Sequence, residues 1–520
     1  MQCSRKDTKN FLILMPIDSL IFQIRQQFGL QPTADQEHAI REFTAFVANP
    51  SPSALMILRG SAGTGKTSLA SAIVQALVKL GQKVVLLAPT GRAAKVFEQN
   101  SGHPAFTIHR KIYRQRSLMG DFNLNDNLHS NTLFLVDESS MIANSSYHTQ
   151  SFSQQEGQMA NNTQFGSGNL LDDLVSYVYG GRTCRLMLIG DSAQLPPVGM
   201  NESPALDAEW MRGYGLDVHE ADLNEVLRQS QESGILMNAT AIRQMITHDE
   251  VTQLPQIRFS GFADLRMVPG NELIEAISSS YSRVGIDETM IVTRSNKRCN
   301  AYNIGIRNTI LGREDMLCSG DQLLIVKNNY YWLPKDNPPT PNNQPSPPLR
   351  GEVGKGLPNL SFIANGDCAR VQRVRHIREL YGFTFADVTM QFPDYDNLEL
   401  QATVLLNTLT AEAPALTREQ SDQLYNNVLE DYADIPLKAD RMKRLREDQH
   451  FNALQIKYAY AVTCHKAQGG QWAHVYIDQG YMTDEMLTPD YIHWLYTAFT
   501  RATETLFLVN WPKTQTDERA

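Results

Sequence analysis

Apolar and polar positions between Leu55 and Ile189 follow two periods in turn. Short apolar runs of strand length read LMILRG, KVVLLAPT, TLFLVDE and RLMLIGD. The stretches that begin at Lys66 and Arg92 have the spacing of amphipathic helices. Apolar strands that alternate with helices predict a parallel sheet covered by helices, and such sheets bind ligands at the carboxyl ends of their strands. Each of these runs ends in residues rich in Gly, Thr, Asp or Glu.

Similar patterns return later in the chain. TMIVTRSNKRC near residues 289–299 and, further on, QIKYAYAVTCHKAQGGQ, HVYID and TLFLVN predict a second α/β domain with an insertion. Within the insertion, DQLLIVKNNYYW, GDCARVQRV, TFADVTMQF and LELQATVLLNT alternate without helices, which predicts a small antiparallel barrel. Helical patterns near 417–432 and 438–452 lead back to the second domain.

The predicted division of the chain has four parts. They are an N-terminal extension with a lead-in helix at 1–28, a first α/β domain at 29–230, a second one at 231–320 plus 451–520, and the inserted barrel at 321–450. Within the first part, residues 1–14 are expected to be dispensable, because the amphipathic pattern begins at Ile17 and Met15 offers a second start.

Two segments follow neither period. Residues 144–168 are rich in Ser, Gln and Asn and are expected to form a flexible loop. Residues 336–358 carry the run PPTPNNQPSPP and are interpreted as a tolerated loop insertion in a barrel hairpin. A polyproline segment that binds a partner is the alternative.

Composition narrows the class of protein. A chain of 520 residues with 42% apolar content is too long for one hydrophobic core and can pack several domains. The formal net charge of −9 argues against a uniformly basic surface, so a nucleic-acid track must be a local groove. The six cysteines lack metal-ligand spacing, which predicts free thiols in the cytoplasm, and no apolar run is long enough to cross a membrane.

The most specific motif runs from Gly60 to Thr67 and matches GxxxxGK[ST] between a predicted strand and a helix. Its glycines allow the backbone to wrap a phosphate, so that successive N–H groups and the helix N-terminus face the anion. Lys66 would contact the β- and γ-phosphates of ATP, and the Thr67 hydroxyl would bind Mg²⁺. The residues expected at the nucleotide are Gly60, Ser61, Ala62, Gly63, Thr64, Gly65, Lys66, Thr67 and Ser68.

Three further side chains complete the predicted chemistry of the first domain. Asp137 and Glu138 end the run LFLVDE, where Asp137 can hold Mg²⁺ through water and Glu138 can take the proton of the attacking water. Taken alone, two acids at a strand end could equally cap a helix, but the phosphate loop upstream favours catalysis. Gln194, in GDSAQLPPVG, can contact both the γ-phosphate and the attacking water.

Two distant arginines are candidates for cations that neutralise charge in the transition state. Arg228 lies in LNEVLRQ and Arg501 in LYTAFTRATE. An ATPase between two domains needs such cations from across the cleft. For either arginine taken alone, a surface salt bridge is the alternative.

In this order, the motifs GSAGTGKTS, APTGRAAK, TIHR, VDESSM, GDSAQLPPVG, LNEVLRQ, TCHKAQGGQW and LYTAFTRATE resemble those of superfamily 1 helicases of the RecD-like and Dda-like branch, which are P-loop ATPases of the AAA type. The resemblance covers most of the chain from about Gln31 onward. It implies two RecA-like P-loop NTPase domains, each a parallel sheet with helices on both faces, and a small SH3-like β-barrel inserted in the second. It also implies movement in the 5′ to 3′ direction.

The resemblance also assigns residues. Gln36 looks like the glutamine that reads the adenine edge, and Gln468 and Gly469 would lie close to the nucleotide. The residues that look like contacts to single-stranded DNA are Pro89, Thr90, Arg92, Thr107, His109, Thr463, His465 and Lys466. They are mostly donors to phosphates, which bind any sequence. A core histidine is the alternative for His109.

Residues 103–130 fall where relatives carry a hairpin, the pin, that splits the duplex. The segment is polar and shows no clear pair of strands, which puts strong unwinding in doubt. Aromatic residues that can stack on bases are Phe106, Tyr113, Tyr330, Tyr331 and Trp332, with packing inside the protein as the alternative for each.

The sequence therefore predicts an ATP-dependent DNA helicase or translocase that uses ATP and Mg²⁺ to move 5′ to 3′ along single-stranded DNA. Its expected partners are single-stranded DNA and junctions with duplex, and it is expected to act as a monomer in DNA repair, recombination or replication. An additional nuclease or repair partner stays open. The alternatives are an RNA helicase of the same superfamily and a P-loop ATPase switch that does not act on nucleic acid.

Overall fold

The computed structural model describes residues 17–115, 122–144, 166–225, 232–248, 254–333 and 362–517. Up to residue 225, its strands are β1 (Ala54–Gly60), β2 (Lys83–Ala88), β3 (Ala105–Thr107), β4 (Tyr113–Gln115), β5 (Phe122–Leu124), β6 (Thr132–Val136), β7 (Arg185–Gly190) and β8 (Asp217–Leu223). Six of them form a sheet in the order β3-β2-β6-β7-β1-β8, and all neighbours in it run parallel. The predicted parallel sheet is confirmed.

Helices cover both faces of this sheet. They are α1 (Ile17–Phe28), α2 (Ala34–Ala48), α3 (Lys66–Lys79), α4 (Gly91–Ser101), α5 (Ile108–Ile112), α6 (Leu170–Gly180) and α7 (Ala208–Arg212). Alternate residues of β1 enter different cores: Ala54, Met56 and Leu58 pack with α1 to α4, whereas Leu55 and Ile57 pack with α5 to α7. Since both faces are covered, the central strands β6 and β7 are buried at every position.

The rest of the chain forms the second sheet and the barrel. Before the insertion come α8 (Gly234–Thr247), β9 (Leu265–Val268), α9 (Leu273–Arg283), β10 (Thr289–Thr293) and α10 (Asn296–Gly305). The insertion holds β11 (Gln322–Ile325), β12 (Cys368–Leu380), β13 (Phe383–Phe392), β14 (Leu398–Leu405), α11 (Arg418–Glu430) and α12 (Lys438–Glu447). After it come β15 (Leu454–Tyr458), β16 (Ala461–Thr463), α13 (Cys464–Ala467), β17 (Trp472–Asp478), α14 (Pro489–Phe499) and β18 (Ala502–Val509).

The second sheet has the strand order β16-β10-β17-β18-β9, again with parallel neighbours. Strands β11 to β15 close into a barrel, which confirms the predicted barrel. One detail differs: β15, residues Leu454–Tyr458, was predicted for the second α/β domain and instead pairs with β11, and its pairing with β14 is parallel. All five of its residues are buried, so the strand fits either sheet and only tertiary pairing decides between them.

The barrel and the second sheet share one hydrophobic core. A single buried cluster joins sheet residues such as Ile291 and Phe507 to barrel residues such as Leu323 and Val388. Within it, the rings of Tyr476 and Phe507 stack with centroids 4.3 Å apart. Because separating the barrel from the sheet would expose this core, we expect the two to move as one body relative to the first domain.

Three predicted segments lie wholly or mostly outside the described residues: the extension at 1–14, the loop at 144–168 and the Pro-rich loop at 336–358. Among the residues that are described, no helix has the length and apolar character needed to span a bilayer. The described cysteines are free thiols, namely Cys184, Cys299, Cys318, Cys368 and Cys464.

Candidate nucleotide site and nucleic-acid interface

The phosphate loop, residues 60–67, joins the end of β1 to the start of α3. Gly63 and Gly65 have φ angles of 78° and 77°, a left-handed conformation that residues with a Cβ rarely adopt. The buried Thr64 hydroxyl donates to the Ser61 carbonyl at 2.9 Å and supports the turn from within. Nζ of Lys66 lies 3.3 Å from the Gly60 carbonyl oxygen. The local geometry therefore matches a loop that encloses an anion.

A cavity of about 430 Å³ opens beside this loop, between the two α/β domains. The first domain lines it with Ser61, Ala62, Gly63, Gly65, Lys66, Thr67, Ser68, Asp137, Glu138, Asp191 and Gln194. The second lines it with Ser233, Ile235, Leu236, Gln471, Thr500, Arg501, Ala502 and Thr503. Of the predicted loop residues, Gly60 and Thr64 lie outside the lining and shape the loop, since a Cβ on Gly60 would come within 2.9 Å of Thr64 Oγ1.

Asp137 and Glu138 follow β6 and line the cavity together. Burial and the neighbouring Glu138 carboxylate raise the pKa of Asp137 to about 6, and the Lys66 ammonium opposes this shift. The Glu138 N–H donates to Asp137 Oδ1 at 2.9 Å, and Glu138 has a left-handed φ of 51°. Among the described residues, Oε2 of Glu138 is buried without a hydrogen-bond partner. Such an oxygen at a cavity is suited to accept a proton.

Gln194 and Arg501 line the cavity from the two domains. Gln194 Oε1 is buried and likewise has no partner within the described part of the chain. The Arg501 guanidinium is held by its own domain: Nε donates to the Thr497 carbonyl at 3.0 Å, Nη1 to the Gly470 carbonyl at 3.2 Å and Nη2 to Thr500 Oγ1 at 2.9 Å.

With only 2% of its surface exposed, Arg501 does not form the surface salt bridge that was its alternative interpretation. Arg228 lies outside the described residues. The structure therefore brings one of the two predicted arginines to the cavity and does not describe the other.

Gln36 lies beneath the phosphate loop and outside the cavity lining. Its Nε2 donates to the Thr64 carbonyl at 2.8 Å, and its Oε1 accepts from the Thr33 N–H at 3.0 Å in the capping box that starts α2. The side chain is 1% exposed. Both ends of the amide thus support the loop and the helix, while the predicted contact with adenine stays a prediction.

Sequence reasoning missed two residues of the second domain that reach the phosphate loop. Arg243 of α8 donates from Nη1 to Ser61 Oγ at 3.0 Å. The hydroxyl of Tyr496, on α14, accepts from the Ala62 N–H at 3.0 Å and donates to Asp191 Oδ2 at 2.6 Å. No local motif marks Arg243, whereas Tyr496 lies inside LYTAFTRATE, which was the available signal.

Gln468 and Gly469 lie outside the cavity lining, so their predicted position close to the nucleotide stays a prediction. Gln468 Nε2 donates to the Leu195 carbonyl at 2.7 Å. At Gly469, where φ is 73°, a Cβ would come within 2.9 Å of Ala93 Cβ on α4. Because the chain turns there against the first domain, the cavity is lined by Gln471 instead.

The predicted nucleic-acid residues of the first domain lie at the adjacent carboxyl ends of β2 and β3, with Pro89 directly after β2. The Thr90 hydroxyl accepts from the Ala93 N–H at 3.2 Å and starts α4, and the Thr107 hydroxyl accepts from the Arg110 N–H at 3.4 Å and starts α5. Both threonines therefore hold helix N-termini at the same edge of the sheet.

The structure adds detail on His109 and Arg92, whose predicted contacts with DNA stay predictions. Burial lowers the pKa of His109 to about 4, so its imidazole is neutral at physiological pH and offers no point charge to a phosphate. The Arg92 guanidinium stacks on the Trp472 ring at 4.7 Å and donates to the Gln471 carbonyl at 2.9 Å. Arg92 therefore bridges the two domains, a role that its predicted DNA contact did not include.

The predicted nucleic-acid residues of the second domain follow the edge strand β16. Thr463 ends this strand, and His465 and Lys466 lie in α13, where burial lowers the pKa of Lys466. Directly after this helix, a Cβ on Gly469 would come within 3.1 Å of Thr90 Oγ1. The structure thus brings the two predicted sets of nucleic-acid residues to one side of the domain contact.

The pin segment does contain a pair of strands, so the expectation that it lacks one was wrong. Strands β4 and β5 pair antiparallel from Tyr113–Leu124 to Gln115–Phe122, and the tip at 116–121 lies outside the described residues. Each strand has only three residues, too few to show an alternating pattern in sequence. Tyr113 anchors the base through a hydrogen bond from its hydroxyl to Asp173 Oδ2 at 2.7 Å.

The aromatic candidates for base stacking are engaged inside the protein. Tyr113 is 6% exposed. The Tyr331 hydroxyl donates to the Glu447 carbonyl at 2.9 Å, and Trp332 Nε1 donates to the Asn452 carbonyl at 2.9 Å. Phe106 is half-buried, with the Lys111 ammonium 5.5 Å from its ring centre, and Tyr330 packs on Phe362 with ring centroids 5.1 Å apart. These contacts favour the packing alternative for each residue.

Two family models match parts of the chain. The model for an AAA domain matches residues 31–153, and the model for a UvrD-like helicase C-terminal domain matches residues 458–509. The first match lies on the first parallel sheet, and the second match contains strands β16 to β18 of the second.

Two curated proteins are similar in sequence. The ATP-dependent DNA helicase dda of Enterobacteria phage T4 is 25% identical over 279 residues, which are 52% of this chain and 55% of that protein. The ATP-dependent RecD2 DNA helicase of Deinococcus radiodurans is 30% identical over 144 residues, which are 28% of this chain and 16% of that protein. The chain thus spans about half the length of the first relative and a smaller part of the second.

Among solved structures, a Pif1 helicase from Bacteroides in complex with ADP-AlF3 and ssDNA aligns over 94% of both chains, with a TM-score of 0.44 and 14% identity. The likeness to helicases is based on the two family models, the two relatives and the ordered motifs, and not on this solved structure. Residues of several of these motifs line one cavity between the two parallel sheets. In sequence and in the order of its motifs, the chain is similar to superfamily 1 helicases of the Dda and RecD type.

Proposed function

We propose that this protein is an ATP-dependent DNA helicase that hydrolyses ATP to move 5′ to 3′ along single-stranded DNA. The observation that carries the proposal is the single cavity that the phosphate loop, Glu138 and Gln194 share with Arg501 of the other domain. Hydrolysis in such a cavity changes the contacts between two rigid bodies, which is what a motor needs. Direction and DNA substrate are supported by the likeness to the helicases that the sequence resembles.

The residues around the cavity divide the work of hydrolysis. The loop N–H groups and Lys66 hold the phosphates, and Gln194 orients the attacking water through its unpartnered amide oxygen. Glu138 accepts the proton of that water at Oε2. Arg501 stabilises the charge on the transferred phosphoryl group once its guanidinium exchanges at least one backbone acceptor for a phosphate oxygen.

The proposed metal is Mg²⁺, bound by the Thr67 hydroxyl and the Asp137 carboxylate. Both line the cavity, and both offer the oxygen ligands that Mg²⁺ prefers. In the part of the chain that is described, no three His, Cys, Asp or Glu side chains form a metal-binding group. This fits a cation held by one carboxylate together with the phosphates of its nucleotide rather than by a protein cage. When bound, it would neutralise phosphate charge.

Single-stranded DNA is proposed to cross the domain contact where α4, α5 and α13 meet. The donors there are Thr90 and Thr107 on one domain and Thr463, His465 and Lys466 on the other. Because these contacts are few and local, a protein of net charge −9 can bind a polyanion. A change in the distance between the two sets would then shift the strand relative to one domain.

Finer features belong to the same proposal. The four-part division at residues 28, 230, 320 and 450, the SH3-like character of the barrel and a monomeric motor all follow family resemblance. The free cysteines support work in a reducing compartment such as the cytoplasm. DNA repair, recombination or replication would be the setting.

The deciding experiment is an unwinding assay with 5′-tailed and 3′-tailed duplexes, run beside ATPase assays with DNA and RNA single strands of equal length. We expect unwinding of the 5′-tailed duplex and ATPase activity that DNA stimulates more than RNA does. Lys66→Ala serves as the inactive control. Stimulation by neither strand would refute the motor and favour an ATPase switch, and preference for RNA would replace the DNA substrate.

A further inference from the structure

The hydroxyl of Tyr496 joins the two sides of the cleft at one oxygen atom. It accepts from the Ala62 N–H at 3.0 Å and donates to Asp191 Oδ2 at 2.6 Å. The ring is 1% exposed, and burial beside Asp191 raises the pKa of the hydroxyl well above its usual range. The phenol therefore stays protonated and keeps both roles, as donor to the carboxylate and as acceptor from the backbone.

The face of α14 that carries Tyr496 docks on the loop after β7. His493 Nδ1 lies 2.9 Å from the Ala193 carbonyl oxygen, and the Thr497 hydroxyl accepts from the Leu195 N–H at 2.7 Å. Residues three and four apart share one face of a helix, so these contacts and Tyr496 form one docking surface. A change at the Ala62 N–H is therefore transmitted to a helix of the second domain.

We propose that Tyr496 is a positioning residue that accepts from the Ala62 N–H before a nucleotide binds and releases this N–H to the γ-phosphate when a nucleoside triphosphate binds. The inference rests on the proposed function, because it assumes that the cavity binds ATP. We assign the γ-phosphate as the new acceptor because Tyr496 links the phosphate loop to Asp191. Gln194, which is predicted to contact the γ-phosphate, follows Asp191 in the loop after β7.

The exchange is favourable for a chemical reason. The Ala62 N–H gives up a neutral phenol oxygen and gains a charged phosphate oxygen, and hydrogen bonds to charged acceptors are the stronger ones. Tyr496 keeps its bond to Asp191, so it loses only an acceptor contact. Binding of the nucleotide therefore removes one of the hydrogen bonds that dock α14 on the first domain. This couples ATP binding to the position of the second domain.

The test is calorimetric titration of Tyr496→Phe with Mg²⁺ and either ADP or a triphosphate analogue whose β,γ-bridge is nitrogen. Removing the hydroxyl leaves the Ala62 N–H without its acceptor before a nucleotide binds. The hydrogen bond to Asp191 is lost both with and without nucleotide, so its loss does not change the binding affinity. We expect the variant to bind the analogue about two- to tenfold more tightly than the wild type, the range that one net hydrogen bond gives. The affinity for ADP should stay unchanged, a difference that a purely structural role would not produce.

Tyr491→Phe is the matched control. It removes a buried hydroxyl from the same helix, where Tyr491 donates to Gln479 Oε1 away from the cavity. Unchanged or weaker binding of the analogue by Tyr496→Phe would overturn the inference. An equal shift for ADP, or the same shift in Tyr491→Phe, would also overturn it. A wild-type protein that binds no nucleotide would refute the proposed function instead and the inference with it.

Discussion

The two walls of the cavity differ in how ready they are for chemistry. On the first-domain wall, Glu138 Oε2 and Gln194 Oε1 are buried and have no partner among the described residues. On the opposite wall, each donor nitrogen of Arg501 is bonded to a neighbour in its own domain. One wall is therefore preorganised, whereas the other must exchange bonds before it can act. Under the proposed function, this difference places the coupling between ATP and movement in the second domain.

The largest effect should come from the wall that must rearrange. Replacement of Arg501 by Ala is expected to lower kcat about 10³- to 10⁵-fold, the contribution of an arginine that neutralises transition-state charge. ATP affinity should change little, because the guanidinium already donates to acceptors of its own domain. Steady-state ATPase assays and nucleotide titration measure the two quantities, and Arg501→Lys tests whether charge alone suffices. Equal losses in binding and turnover would make Arg501 structural.

On the preorganised wall, Glu138→Gln should lower kcat about 10²- to 10⁴-fold while the variant still binds ATP. The amide keeps the shape of the side chain but cannot take the proton of the attacking water. Retention of labelled ATP on the variant, together with single-turnover hydrolysis, measures the effect. A variant that turns over normally would exclude Glu138 as the general base. The first-domain wall could then no longer be called ready for chemistry.

A moderate effect should follow from pH. The pKa of Asp137 is raised to about 6, so the carboxylate that would bind Mg²⁺ predominates above that pH and is lost as the pH falls through it. We expect kcat/KM for Mg·ATP to fall about tenfold per unit below this point and to be level above it. Asp137→Asn should abolish this acidic limb. A limb centred near pH 4 would show that burial does not govern this carboxylate in solution.

The smallest effect is expected from the Pro-rich segment. Deletion of residues 338–356 should leave ATPase activity within about twofold of the wild type, since a polar loop insertion is expected to tolerate change. The flanking bridge between Asn329 and Ile363 and the buried residues Leu333 and Phe362 are retained. The assay is strand-stimulated ATPase with thermal unfolding as the control. Collapse of activity would show that the Pro-rich segment takes part in function.

Local patterns predicted the parts of this protein that depend on neighbours in sequence. The glycines of the phosphate loop, the helix after it and the acids at the end of β6 are set by short-range sterics and by the alternation of strand and helix. The three-residue strands of the pin were missed, because a pattern of period two needs more positions to be seen. Strand β15 was placed in the wrong sheet, because a fully buried strand fits either one.

By itself, then, the sequence determined two parallel sheets, an inserted barrel and a phosphate loop followed by two acids at the end of a buried strand. Only the tertiary structure decided which groups reach that loop from the other domain. Tyr496 and Arg243 lie more than 180 residues from the phosphate-loop atoms they contact, and Arg92 serves the domain contact through Trp472, 380 residues away. Such contacts depend on how two separately folded cores dock, and a local pattern of residues carries no information about that docking.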